Sequence, residues 1–284
     1  MERNKFWKYV NKGPCSVERM KKNLPSFKRN ETNFTISMYD PHTRGERYHA
    51  SVLFLLAKDM SKKMWERLLK IQNRNLGNPL GISYNGEIIC LDYLQAMHEL
   101  DYMPNLDGKD VLEIGAGYGR TAHAIMSNYN VKSYTIADLE NCLALSQKYL
   151  GDVLTVPQCN KITFFDIEER FLYEDYDFCL CIDTLSEIGE DNMVQYLKYI
   201  DAHCKWFYVK SPIGQYDISM GCIDGDIKLT VNECFDRVNV LDNTEVLGQV
   251  DKFVANFKPS PPWKCVKNSQ APPFMHYWQA LYKK

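Results

Sequence analysis

Residues 111–120 read VLEIGAGYGR, and the next apolar run, SYTIA at 133–137, ends in Asp138. Val111 to Ile114 is a short, mostly apolar run, the pattern of a strand buried on both faces. It opens into glycines at alternate positions, Gly115, Gly117 and Gly119, and Thr121 to Tyr129 then has helical spacing. Strand, glycine loop and helix in that order begin a nucleotide-cradling βα unit. A Cβ at the glycines would forbid φ > 0 or keep a ligand from the backbone. A tight turn without a ligand would show the same glycines, so the acid at 138 carries much of the argument.

The spacing separates two classes of ligand. The dinucleotide fingerprint is G-x-G-x-x-G, with a pyrophosphate on the helix N-terminus. Here the pattern is E-x-G-x-G-x-G, and Glu113 puts a carboxylate where a dinucleotide brings phosphates. A cationic ligand suits it better. S-adenosylmethionine carries a sulfonium and an ammonium group and no phosphate. Asp138 lies 19 residues after Gly119, close to the separation of a ribose-binding acid. Its carboxylate can accept from both ribose hydroxyls.

EIGAGYGR with a strand-end acid resembles the first two motifs of class I S-adenosylmethionine-dependent methyltransferases. More narrowly, GNPLGISYNGEIICLDYL (77–94), EIGAGYGR (113–120), the DL of 138–139 with LALSQKYL (143–150), and IDTLSEI (182–188) are similar to phrases of the bacterial sugar O-methyltransferase family. The similarity covers roughly residues 76–215. It implies an α/β fold, a doubly wound and mostly parallel seven-stranded Rossmann-like sheet, with a helical N-terminal extension. It implies S-adenosylmethionine held by Glu113, Gly115, Ala116, Gly117, Gly119, Arg120, Asp138 and Leu139. Its third motif is an acid against the adenine amino group with an apolar neighbour on the ring; Asp166 and Ile167 match. A helix-capping role for Asp166 stays equally open.

Composition bounds the alternatives. The 284 residues are 45% hydrophobic, enough for a large core. A net charge of −2 argues against bulk nucleic-acid binding. Residues 1–50 nevertheless hold eleven Lys or Arg against five Asp or Glu, a local +6 that leaves −8 for the rest. Such an arm attracts a phosphorylated or nucleotide-linked substrate, or is merely a solvated helical face. The ten cysteines show no C-x-x-C spacing, which fits neither a zinc site nor a disulfide scaffold and suggests a reducing compartment. No signal-peptide or membrane-spanning run is seen, so the expectation is a cytoplasmic protein. Whether it forms a homo-oligomer stays open.

The chain divides by pattern into a helical extension, 1–105, and a ligand-binding domain, 106–284. Apolar residues at three- and four-residue spacing from Tyr48 to Ile71 predict one long helix. Helical periodicity resumes over Ile88–Leu100. From Lys109 strands near 110–114, 133–137, 161–165, 177–182 and 205–209 alternate with helices near 120–129, 140–150 and 190–203. A loop over 211–225, a helix near 228–236 and a strand near 237–241 follow. The five prolines at 259, 261, 262, 272 and 273 exclude regular structure from 258–273. Met275–Tyr282 reads as a last, antiparallel strand at the far side of the sheet.

Ligands of such sheets lie beyond the carboxyl ends of the strands, so the residues after the fourth strand, Asp183-Thr184-Leu185-Ser186-Glu187, face the acceptor. A sugar hydroxyl is a poor nucleophile and must lose its proton as the bond forms, so a general base is expected. Asp183 is the first candidate, as base or as a cofactor contact, followed by Glu187; its alternative is a helix cap. His98 and His123, on the helices before and after the glycine loop, are imidazole candidates, although a lone helical histidine is more often structural. Base-amine methyltransferases carry (Asn/Asp)-Pro-Pro-aromatic where this chain has DTLSE. Metal-dependent O-methyltransferases carry an Asp-Asn pair where it has Lys210-Ser211-Pro212, so no metal is expected. The acceptor expected is a small-molecule or nucleotide-linked sugar. Another small metabolite, a lipid-linked acceptor, and a non-catalytic nucleotide-binding protein remain as alternatives.

Overall fold

The computed structural model describes residues 12–13, 15–22, 24–29, 46–167, 174–188, 190–213, 248–274 and 277–284. The chain separates into two compact units, Val10–Phe171 and a second built from Leu172–Lys284. The boundary thus falls after the third strand of the ligand-binding pattern, and residue 105 lies inside the first unit.

In the first unit, α1 (Val17–Lys22) and a 3₁₀ turn (Phe27–Arg29) precede α2 (Glu46–Asp59) and α3 (Lys62–Lys70). The expected single helix over 48–71 is therefore two. Ser61 breaks it: its hydroxyl accepts from the Met64 N–H at 3.2 Å and restarts the helix as an N-cap. Met64 and Leu68 then bury the apolar side of α3. A hairpin follows, β1 (Gly81–Tyr84) against β2 (Glu87–Cys90). Its turn residues Asn85 and Gly86 have φ of 52° and 81°, as a type I′ hairpin requires. Helical periodicity from Ile88 is thus misleading, because α4 starts only at Leu91 and runs to Tyr102.

The βα pattern follows as expected. β3 (Asp110–Ile114), α5 (Arg120–Asn128), β4 (Ser133–Asp138), α6 (Glu140–Val153), a short α7 (Val156–Cys159) and β5 (Ile162–Asp166) alternate. β3, β4 and β5 are parallel neighbours, and the register sets Asp138 beside Asp166. Val111, Leu112, Ile114, Ile136 and Ala137 are at most 1% exposed, which explains the largely apolar runs.

The second unit contains β6 (Tyr176–Ile182), α8 (Thr184–Glu187), α9 (Glu190–His203), β7 (Cys204–Pro212), α10 (Val250–Asn256), β8 (Lys264–Gln270) and β9 (Tyr277–Lys283). β6 and β7 are parallel, and β9 is antiparallel to both β7 and β8. The seven-stranded sheet has the order β5-β4-β3-β6-β7-β9-β8, a mostly parallel Rossmann-like arrangement, as expected. The last strand is antiparallel and lies at the far side of the sheet, between β7 and β8. One expectation needs correction. Residues 264–270 form the edge strand β8, because the five prolines cluster at its two ends and leave the interval free to pair. A register shift between Cys265 and Lys267 and the exposed Lys264 and Lys267 blunt that edge. The loop expected from 211 starts later, since β7 continues to Pro212. The rest of that loop and the elements expected at 228–236 and 237–241 lie outside the described residues.

The break at Ser61 is testable. Ser61→Ala removes the cap and should lower unfolding stability by about 1 kcal/mol, read as a shifted urea midpoint with an unchanged slope.

Candidate cofactor site

The site is built at the carboxyl ends of β3, β4 and β5. Gly115, Gly117 and Gly119 have φ of 76°, 59° and 92°. All three lie in the region that L side chains avoid. At Gly119 a Cβ would also approach Leu150 to 3.0 Å. The loop is held at its start by the Gly115 N–H to the Ala137 carbonyl, 2.9 Å, and closed by the Gly119 N–H to the Ala116 carbonyl, 2.9 Å. Residues 115–117 keep partial exposure, so their backbone can be approached.

Asp138 ties the loop to β4. Its Oδ2 accepts from the Gly117 N–H at 2.8 Å and its Oδ1 from the Leu139 N–H at 2.7 Å. The sequence suggests an acid facing an open cleft, but Asp138 is 7% exposed. Burial pushes its carboxyl up to about 6, against the lowering effect of the two N–H donors and the Cys142 thiol. Acceptor capacity remains beyond these three bonds. Glu113 is deeper, 2% exposed, and accepts from the Tyr134 hydroxyl at 2.7 Å. Burial raises it to about 7; Tyr134 and Arg120 oppose the shift, and Asp138 and Glu99 add to it. Two buried acids that resist ionisation lie on adjacent strands, Glu113 one pair back from the end of β3 and Asp138 at the end of β4. Leu139, Asp166 and Ile167 are half-buried nearby, and the Ile167 N–H donates to the Asp138 carbonyl at 3.1 Å.

Other predicted residues are placed differently. The Arg120 guanidinium forms a bidentate pair with the buried Glu99, 2.8 and 3.0 Å, and donates to the Asp92 carbonyl at 3.0 Å. Its side chain is taken by α4, which leaves its backbone for the loop. His123 is fully buried, with Nδ1 2.6 Å from the Tyr93 hydroxyl and 3.2 Å from that of Tyr149. Burial, and then the charge of Lys28, depress it to about 3. A ring so resistant to protonation, enclosed by aromatic side chains, serves the core better than proton transfer. His98 is half-buried on α4.

Asp183 belongs to the second unit. It follows β6 with φ +67°, a backbone state that a non-glycine residue adopts at a cost of order 1–3 kcal/mol and that clusters at functional positions. The Asp183 N–H donates to the Lys210 carbonyl at 2.8 Å. Ser186 donates to the Asp183 carbonyl at 2.7 Å, and Ser211 to Ser186 at 2.8 Å. The aspartate precedes α8 but makes no side-chain capping bond, so helix capping does not account for it. Glu187 ends α8; its side chain is outside the described residues.

Sequence reasoning passed over Tyr118. It sits inside the glycine loop yet is 3% exposed and donates to Asp92 Oδ2 at 2.8 Å. Its place between two glycines was the available signal. Lys28, 1% exposed, gave none, because it lies in a basic run that reads as a solvated face. Among the described residues no group of three His, Cys, Asp or Glu side chains is arranged to hold a metal ion, and no helix is long and apolar enough to cross a membrane.

No protein-family model matches the sequence, and no curated protein matches it. Solved structures do. The mitomycin 7-O-methyltransferase MmcR is 12% identical over 95% of this chain and 75% of its own, with a TM-score of 0.47. The magnesium protoporphyrin IX methyltransferase of Synechocystis PCC 6803, solved with bound S-adenosylmethionine, is 13% identical over 87% of this chain and 98% of its own, TM-score 0.44. The glycopeptide N-methyltransferase MtfA, complexed with sinefungin, is 10% identical over 66% and 93%, TM-score 0.46.

The raised acids give a stability test whose sign is fixed. Between the unfolded value near 4.5 and about 7, the folded chain keeps the Glu113 proton that the unfolded chain releases. Stability from this group is therefore complete below pH 4.5 and is lost as pH rises through 7. Glu113→Gln mimics the protonated form and keeps an acceptor for Tyr134. It should flatten the fall in unfolding free energy between pH 4.5 and 8 by up to roughly 3 kcal/mol, measured by urea titrations across that range.

Proposed function

We propose that the protein is an S-adenosylmethionine-dependent O-methyltransferase whose acceptor is a sugar hydroxyl. The observation that carries the cofactor assignment is the arrangement at the ends of β3 and β4. Three positive-φ glycines are pinned by the strand-end Asp138, with Glu113 buried beside the loop. The residues fit the ligand's chemistry. Two buried acids held above their ordinary values gain from a nearby cation, which would favour their ionised forms. A pyrophosphate would repel the same ionised forms. Asp138 has lone pairs left for ribose hydroxyls, and Asp166 with Ile167 suits an adenine.

When bound, S-adenosylmethionine supplies a methyl group on a positively charged sulfur. The chain's own task is then to place the acceptor oxygen and take its proton. Asp183 is the residue proposed for that role. Its strained backbone holds a carboxylate after β6, fixed by Lys210, Ser186 and Ser211 through its main chain. A general base is needed for a hydroxyl and less so for a neutral amine or a thiolate. The similarity of residues 77–94 and 182–188 to sugar O-methyltransferase phrases supports the sugar as acceptor, free or nucleotide-linked.

Two substitutions test the reading. Asp138→Ala removes charge-assisted acceptors and frees the loop. It should weaken S-adenosylhomocysteine binding by about ten- to a hundredfold and lower stability as well, since two part-buried N–H groups lose their partner. Asp183→Asn keeps the size and loses the proton acceptor. With a candidate sugar it should leave cofactor binding intact and slow S-adenosylhomocysteine release by at least about a hundredfold. Near-normal turnover in Asp183→Asn would remove Asp183 as the base.

A further inference from the structure

Residues 15–22 and 24–28 are fastened to the candidate cofactor site at two points. At one end the Asn141 amide donates to the Cys15 carbonyl at 3.0 Å, and α1 packs on α6. Asn141 is buried and stands three residues after Asp138. At the other end Lys28 enters a box of rings. Its Nζ is 5.0 Å from the centroids of Tyr93 and Tyr118 and 5.1 Å from that of Tyr149. Phe27 meets Tyr118 edge-on at 4.8 Å. Tyr118 belongs to the glycine loop, so the segment grips both the loop and the start of α6.

The grip is specific. Lys28 Nζ donates to the Arg74 carbonyl at 3.1 Å and to the Tyr149 hydroxyl at 3.5 Å. Tyr149 and Tyr93 are hydrogen-bonded in turn, and Tyr93 reaches His123 Nδ1. A donor path runs from the ammonium through Tyr149 and Tyr93 to Nδ1 of a neutral His123. The Lys28 N–H donates to the Gly77 carbonyl at 3.1 Å. Gly77 has φ +90°, and a Cβ there would lie 2.6 Å from the Phe27 ring, so the 70s loop is shaped around this segment.

A hydrophobic residue would pack such a box without desolvating a charge. The ammonium gives up its hydration on closing, and its cation–π contacts and hydrogen bonds return part of that. Closure therefore depends on the rings staying in place, Tyr118 of the loop among them. We propose that Lys28 is a positioning residue for the cofactor: residues 15–28 form a strap latched by Lys28, and strap closure and cofactor binding favour one another through Tyr118 and Asn141. The cofactor half of this statement rests on the S-adenosylmethionine reading.

Hydrogen exchange read by mass spectrometry, paired with calorimetry, tests it on the full chain, on Lys28→Met and on Gly77→Ala. In both variants without ligand, peptides spanning 115–119 should exchange faster than in the wild type while β7 and β9 peptides stay unchanged. Affinity for S-adenosylhomocysteine should fall about tenfold. Coupling is reciprocal, so saturating S-adenosylhomocysteine should slow exchange over 17–28 in the wild type. Loop exchange and affinity that stay at wild-type values in both variants would overturn the latch, as would a bound wild type whose residues 17–28 exchange unchanged. If Lys28→Met does not fold, Gly77→Ala and the wild-type arm decide. If the wild type binds no S-adenosylhomocysteine, the cofactor reading fails, and ligand-free loop exchange still decides whether the latch holds the loop.

Discussion

The Asp138 carboxylate holds the glycine loop in shape. A loop with three residues at positive φ has little regular hydrogen bonding of its own, and Gly117 sits at its tip. Its N–H finds a partner in an acid from the neighbouring strand. The parallel register of β3 and β4 brings that acid into reach. The carboxylate is buried and raised to about 6, so the loop is held by a group that resists carrying its full charge. A site built this way is pre-shaped and still short of positive charge.

Around it the first unit keeps several charges out of water, each with partners. Arg120 and Glu99 form a bidentate pair between α5 and α4. Removing one member of such a pair typically costs about 3–5 kcal/mol, because the other is stranded. Lys28 is enclosed by rings, and Tyr118 is bonded to Asp92. Alternate residues of one short motif thus divide the work: Gly115, Gly117 and Gly119 shape the open side of the loop, while Tyr118 and Arg120 anchor it to the helical layer.

Much of the sheet was legible because its physics is local. Buried parallel strands need largely apolar runs, and Val111–Ile114 and Ser133–Ala137 supply them between glycine and acid punctuation. Asp138, Asp166 and Asp183 were legible at the strand ends. Other features depended on single residues read too coarsely. Ser61 splits a continuous apolar stripe, and Asn85-Gly86 turns an apparent helical run into a hairpin. The prolines of 258–273 bracket a strand instead of dissolving it. The tertiary partners were beyond reach. Nothing in a basic N-terminal run marks Lys28 as the buried one, and the burial of His123 follows from rings at 93 and 149 that come together only in the fold.

The central claim is that the loop of 115–119 with Glu113 and Asp138 receives S-adenosylmethionine and not a dinucleotide. Isothermal titration calorimetry of the full chain with S-adenosylmethionine, S-adenosylhomocysteine and NAD, in buffers of differing ionisation enthalpy, addresses it directly. The account predicts binding of both adenosyl ligands. It also predicts proton release on binding the cationic one near pH 6–7, as the raised acids ionise against the sulfonium. Tight NAD binding with no adenosyl-ligand binding would contradict it.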